Sequence, residues 1–187
     1  MLIVFEGIDG CGKGTQVELL NYKTFKYPTV KTPELNEFLE GKTKLSQKEI
    51  FHLFLKDIKG EQDEVQKALN EGKTVILDRY VFSTIAYEKD GISFHEARQI
   101  VTQMNFIKPD LVILFDISPE EAQERKRKQK NLDIYESDLK YLAKVRSNFL
   151  KLQEERFLTS RWHRIDARMD INSIHAEVKK ILKAPFV

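Results

Sequence analysis

Long apolar runs, paired cysteines and a lopsided charge are all missing from this 187-residue sequence. The opening run Met1–Phe5 is too short for the apolar stretch of a signal peptide and far below the roughly 20 residues of a membrane helix. The chain is therefore expected to stay in the cytoplasm. Its single cysteine, Cys11, cannot close an internal disulfide, which fits a reducing compartment. With 31 lysines and arginines against 29 acids, the formal charge is only +2. No broad field then invites nucleic acid or an anionic membrane, and any basic site must be local. No Gly/Ser linker, internal repeat or compositional break divides the chain. With 41% apolar and 32% charged residues, residues 1–187 read as one globular domain that can bury a core without disulfides or metals.

What is present is an alternation of two kinds of segment. Leu2–Phe5, Thr74–Leu77, Leu111–Phe115 and His163–Ile165 are short and β-rich, and polar or turn residues bound them. They predict buried parallel strands, with Thr29–Lys31 as a fifth. Helical patterns lie between. Gly14–Leu20 is the first. Ser46 and Glu49 form a capping box ahead of Ile50, Leu53 and Phe54, and Val65 and Leu69 continue the apolar stripe. Ser93 with Glu96 repeats the start signal. Ser118 is followed by Pro119 at the first helical position and by Glu120 and Glu121, acids that suit the positive end of a helix. Leu139, Leu142, Val145, Phe149 and Leu152 then mark a long helix. Strands alternating with helices predict an α/β fold, a parallel sheet covered on both faces.

Directly after the first strand stand Gly7, Ile8, Asp9, Gly10, Cys11, Gly12, Lys13, Gly14 and Thr15, which fit GxxxxGK leading into a helix. Polyphosphate packs closely against backbone N–H groups. Glycines let the chain turn and approach the oxygens, while Lys13 supplies a mobile positive charge. The usual motif ends in Ser or Thr to help hold magnesium. Here Gly14 takes that position and Thr15 follows. Cys11 is read as serving through its backbone amide, and Asp9 lies near the acceptor or the metal. Asp78 and Arg79 end a second predicted strand, where ligands of open α/β sheets collect. A guanidinium there can fork two N–H bonds onto one phosphate.

Phe5, Glu6, Gly7, Ile8 and Asp9 leading into Gly12 and Lys13, together with Asp78, Arg79, Tyr80, Ser83, Ala86 and Tyr87, resemble the two signatures of the thymidylate kinase family. Further similarities are Pro109 and Asp110, Ser118 to Glu120, Arg125, and Asp133 with Glu136, so the resemblance runs through nearly the whole chain. It implies a P-loop NTPase fold with five parallel strands, a helical basic lid at approximately 125–136, and a homodimer packed through helices. It also implies ATP with Mg2+ as donor and dTMP as acceptor. By the same comparison Phe54 stacks on the base, although it also falls on the core stripe of its helix. Ser83 and Tyr87 line the base and sugar pocket, with Tyr80 beside them. Arg79 and Lys31 reach the acceptor phosphate, and Asp78 orients Arg79 or holds magnesium through water.

Departures from the family pattern are specific. Ile58 stands where the family carries an arginine that bonds the base. Lys31 replaces an arginine, and Glu88 a glutamine. Gly14 is an adenylate-kinase-like feature, so a kinase for UMP, AMP or several monophosphates is the alternative. Gly10, following Asp9, implies that positive charge for catalysis comes from the lid, where Arg125, Arg127, Lys128 and Lys130 are the donors. Ile134 occupies the position of the usual lid arginine. The basic run 125–130 lacks interleaved aromatics, which argues against nucleic acid. A guanine-reading Asn-Lys-x-Asp motif is absent, which argues against a GTP switch.

Overall fold

The computed structural model describes residues 1–29, 31–129 and 138–184. In chain order the elements are β1 (Leu2–Glu6), α1 (Lys13–Glu18), β2 (Lys23–Lys26), α2 (Pro33–Leu39), α3 (Gln47–Gly60), α4 (Gln62–Asn70) and β3 (Val75–Asp78). They continue with α5 (Val81–Ala86), α6 (Phe94–Gln103), β4 (Leu111–Asp116), α7 (Pro119–Gln129), α8 (Leu139–Glu154), β5 (Trp162–Asp166) and α9 (Ile171–Lys183). The strands form one five-stranded parallel sheet ordered β2-β3-β1-β4-β5. Every residue of β1 and β3 is buried, as expected when helices cover both faces of a parallel sheet. From β1 the sheet grows to β3 on one side and to β4 on the other. Ligand crevices open outside the carboxyl ends of strands at such a reversal.

The expected strand at Thr29–Lys31 is corrected: the fifth strand is β2, Lys23–Lys26, and it pairs with β3 so that Lys26 lies opposite Asp78. The physical reason is its place at the sheet's edge. Only Phe25 of β2 is buried, and charged side chains on an edge strand guard it against unwanted pairing, so no apolar run betrays it. Thr29 instead gives its N–H and its hydroxyl to the Asp57 carboxylate on α3, at 2.8 and 2.6 Å.

The helix starts follow the local chemistry. Ser46 accepts the Glu49 N–H, while the Glu49 side chain accepts the Ser46 N–H at 2.8 Å. Ser93 and Ser118 receive the N–H groups of Glu96 and Glu121 in the same way. The stripe through Val65 and Leu69 belongs to a separate helix, α4, because the chain turns at Glu61. Among the described residues no helix is long and apolar enough to cross a membrane.

Candidate active site

The loop between β1 and α1 is shaped by two close approaches. Gly7 has φ +143° and Gly10 φ +84°. A Cβ on Gly7 would sit 2.5 Å from the Phe115 carbonyl oxygen of β4, and one on Gly10 would sit 2.5 Å from the Ala122 carbonyl of α7. Both positions therefore demand glycine on steric grounds as well as conformational ones. Cys11 is wholly buried. Its N–H closes a turn onto the Ile8 carbonyl at 3.3 Å, so amide and thiol both serve the loop's shape. Lys13 lies across the loop and donates to the carbonyls of Gly7 (2.8 Å) and Ile8 (3.3 Å). Gly12 caps α1 in the left-handed conformation, and Gly14 and Thr15 lie in the helix's first turn.

On the β3 side of this loop opens a pocket of about 310 Å³. Its walls come from α3 (Ile50, Phe51, Phe54, Ile58), α2 (Phe38, Leu39), the turn after β2 (Tyr27, Pro28), α5 with its C-terminal extension (Ser83, Thr84, Tyr87, Glu88) and Tyr141 of α8. Asp9 and Arg79 line it as well. Phe54 is only half-buried, whereas Phe51, Leu55 and Ile58 supply the helix's buried stripe. The choice between core packing and pocket wall thus falls to the wall for Phe54. Ile58 is 2% exposed and gives the pocket an apolar surface where a base-reading arginine was the family pattern.

Three charged or polar side chains meet at the pocket's edge. Arg79, in the left-handed conformation at φ 70°, forms an ion pair with Asp9, and its guanidinium lies 5.2 Å from the centre of the Tyr87 ring. Tyr87 donates its hydroxyl to Asp9 at 2.9 Å and accepts the Asp9 N–H at 3.0 Å. Burial opposes the charge on Asp9, but Arg79, Lys13 and the Tyr87 hydroxyl outweigh it and hold the carboxyl well below the usual range. Burial pushes the Tyr87 phenol well up, so it acts as a neutral hydroxyl. Ser83 lines the pocket, yet its hydroxyl is given to Glu6 at 2.6 Å. Thr84, next in sequence and buried, lines the pocket too. Tyr80 is fully buried and lines the pocket as well; its hydroxyl has one proton, shared between the Gln62 side-chain oxygen (2.9 Å) and the Ile107 carbonyl (3.0 Å).

The remaining expected residues scatter. Lys31 is exposed, outside the pocket wall, and bonded to Glu61 at 2.8 Å and Glu64 at 3.4 Å. Lys26 at the end of β2, which the sequence reading passed over, stands 3.9 Å from the carboxylate of Asp78. Asp78 itself is buried at the carboxyl end of β3. Arg125 reaches the Arg168 carbonyl at 3.3 Å, Arg127 is exposed, and Lys128 pairs with Glu124 at 2.8 Å. The lid expected at 125–136 begins on the last residues of α7. Lys130, Asp133, Ile134 and Glu136 lie outside the described residues. Glu88 is buried and spans the N–H groups of Gly91 and Ile92 at 3.1 and 3.0 Å.

Chemically, the arrangement joins a backbone cradle for phosphate to a pocket with an aromatic wall, and a guanidinium stands where the two meet. Among the described residues, no group of three or more His, Cys, Asp or Glu could hold a metal.

The thymidylate kinase family profile matches residues 5–178. A probable thymidylate kinase of Archaeoglobus fulgidus is 37% identical over 194 aligned positions, covering 98% of this chain and 95% of that protein. A thymidylate kinase of Leptospira interrogans is 34% identical, covering 97% and 93%. Among solved structures, the thymidylate kinase of Candida albicans, described as having broad substrate specificity, superposes with a TM-score of 0.79 at 26% identity, over 97% of this chain and 90% of that one. A profile match through most of the chain and relatives of this identity along nearly all of it agree with the phosphate loop, the Asp78–Arg79 strand end and the parallel sheet: the chain belongs to the thymidylate kinase family.

Proposed function

We propose that this protein transfers the terminal phosphoryl group of ATP to dTMP, giving ADP and dTDP. One observation carries the reading: the Asp9–Arg79–Tyr87 cluster stands where the phosphate loop meets a pocket with an aromatic wall. A flat apolar ring such as Phe54 suits a flat base. Arg79 suits the acceptor's phosphate, because a guanidinium can fork onto two oxygens.

In the transfer, an oxygen of the acceptor phosphate bonds to the terminal phosphorus of ATP, and the bond from that phosphorus to the bridging oxygen breaks, leaving ADP. The protein's share is alignment and positive charge. N–H groups of the phosphate loop other than those of Asp9 and Cys11, together with the Lys13 ammonium, hold the donor phosphates. Arg79 holds the acceptor phosphate, and Lys26, across from Asp78 at the end of β2, is a second cation to assist it. Asp9 and Tyr87 fix the guanidinium's direction. Asp78, through water, and the Thr15 hydroxyl are the groups that would hold Mg2+, which would supply charge neutralisation on the donor oxygens. Arg125 and Arg127 supply further positive charge at the start of the lid. The same reading takes residues 1–187 as one kinase unit, paired in a homodimer and working in the cytoplasm.

A second reading has one observation in its favour. Ile58 offers the base no hydrogen bond, which suits acceptance of several monophosphates. Coupled ADP release with dTMP, dUMP, UMP, CMP and AMP tests both. A kcat/KM for dTMP at least about tenfold above the rest supports the first, since the fit of one methyl group in an apolar pocket is commonly worth about that much. Equal rates on all acceptors favour the second. ADP release that needs no acceptor would overturn both.

A further inference from the structure

Glu6, the last residue of β1, has no exposed surface, and its carboxylate is spent entirely on the segment that follows β3. One oxygen accepts the N–H groups of Tyr80 (2.8 Å) and Ser83 (3.2 Å), and the other accepts the Ser83 hydroxyl (2.6 Å). Helix α5 has no side-chain cap of its own, since its N-cap residue is Tyr80. The first N–H groups of a helix need an acceptor from somewhere. Here Glu6 provides one for the N-cap Tyr80 and shares the Ser83 N–H with the Tyr80 carbonyl, which lies 3.0 Å from it. The residue just before Glu6 completes the grip, for the Phe5 carbonyl accepts the Arg79 N–H at 3.0 Å.

Arg79 itself is in the left-handed conformation. That region is unfavourable for a side chain with a Cβ, and a residue stays there only where its surroundings over-determine it. The surroundings in this case are Phe5 and Glu6 on one side and the ion pair with Asp9 on the other. A buried carboxylate is a costly group to keep. Its position beside two cations, Arg79 and Lys13, offsets part of that cost.

We propose that Glu6 is a positioning residue: by capping α5 across the sheet it holds the Arg79 turn in its left-handed form and so aims the guanidinium at the acceptor phosphate. The proposal rests on the reading of Arg79 as the acceptor's ligand. It adds that the aim is set from β1, the strand that also leads into the phosphate loop, so that donor cradle and acceptor ligand share one support.

The full-length protein and its Glu6→Gln and Glu6→Ala variants test this by amide hydrogen exchange and by steady-state kinetics. In Glu6→Ala the amide of Tyr80 should exchange at least about tenfold faster, and kcat should fall about 30-fold or more with the KM for ATP within about threefold. Glutamine keeps an oxygen that can accept both N–H groups, so Glu6→Gln should recover at least about tenfold of the lost kcat. A protected Tyr80 amide and a kcat within about threefold of the parent in Glu6→Ala would overturn the proposal. So would a glutamine variant as impaired as the alanine one. If the alanine variant does not fold, the glutamine variant decides: an unprotected amide at Tyr80 in a folded protein sinks the capping role. If the parent releases no ADP in response to dTMP, the substrate reading fails, while amide exchange still reports whether Glu6 holds the turn.

Discussion

The Arg79 guanidinium and the Asp9 carboxylate, 70 residues apart in sequence, form an ion pair at the edge of the pocket, and the Tyr87 hydroxyl braces the carboxylate at 2.9 Å. Neither partner is free to drift. Such bracing is what a charge-stabilising group needs, because a donor already aimed pays no reorganisation when charge moves.

Asp9→Asn should therefore weaken the fold in a pH-dependent way. The Asp9 carboxyl is held below its unfolded value, near 3.8, so its ionised form contributes stability that is fully present above that value and disappears as pH falls through the folded one. In urea unfolding at pH 7 the variant should be less stable by on the order of 2 kcal/mol, since both partners keep some contact with water and the loss falls short of that for a wholly buried pair. The gap should narrow as the pH drops below 4. A gap that stays constant down to pH 3 would contradict the ion pair's contribution.

Glu6 gives a pH dependence of the opposite sign. Burial pushes its carboxyl up to about 7, against the opposing pull of the Ser83 hydroxyl, Arg79, Lys13 and the Tyr80 N–H. An acid with a raised folded pKa binds its proton more tightly in the native state, so the stability it contributes is greatest in acid and is lost as pH rises from about 4.5 toward 7. Relative to Glu6→Gln, the parent protein should lose on the order of 3 kcal/mol between pH 5 and pH 8. The difference between two unfolding series cancels the histidines and every other shared titration. A flat difference would show that Glu6 stays ionised through this range.

Much of this site is legible in the sequence because its parts are contiguous. The glycines and lysine of the phosphate loop, and the Asp78–Arg79 pair, each occupy one short stretch, and each follows an apolar run that announces a buried strand. What stays hidden depends on the sheet. That Asp9, Arg79 and Tyr87 meet follows from β1 lying beside β3, which no local pattern states. Helix α5 is buried on every side, so it lacks the polar face that marks an amphipathic helix. Lys26 is hidden for a third reason: the charged edge strand carrying it has no strand-like apolar run. Helix α9 went unread although Ile174, Val178 and Ile181 have helical spacing behind the Asp170 cap.

Phe54 separates base stacking from core packing in one substitution. Since it is half-buried on the pocket wall while its neighbours Phe51, Leu55 and Ile58 fill the core, Phe54→Ala should cost less than about 1.5 kcal/mol of stability, well under the 3–5 kcal/mol typical of a core phenylalanine. The KM for dTMP should rise at least about tenfold, the scale of one lost stacking contact with a base. A large fall in thermal stability with KM unchanged would return Phe54 to the core.

Lys26 and Lys31 make opposite predictions from similar chemistry. Lys31 already satisfies its ammonium with Glu61 and Glu64, and drawing it to a phosphate would leave the buried Glu61 without its cation. Lys26 sits in register with Asp78 at the strand end beside Arg79 and is largely exposed, with a long 3.9 Å contact to the Asp78 carboxylate. Turning to an acceptor phosphate gives up that long contact, beyond hydrogen-bond length, whereas Lys31 would give up a hydrogen bond of 2.8 Å. Lys26→Ala should thus raise the KM for dTMP about tenfold, the effect of losing one charge-assisted contact, while Lys31→Ala should change it by less than about threefold. The reverse pattern in folded proteins would move the phosphate contact from the end of β2 to the loop before α2, and would require Lys31 to leave Glu61 during each turnover.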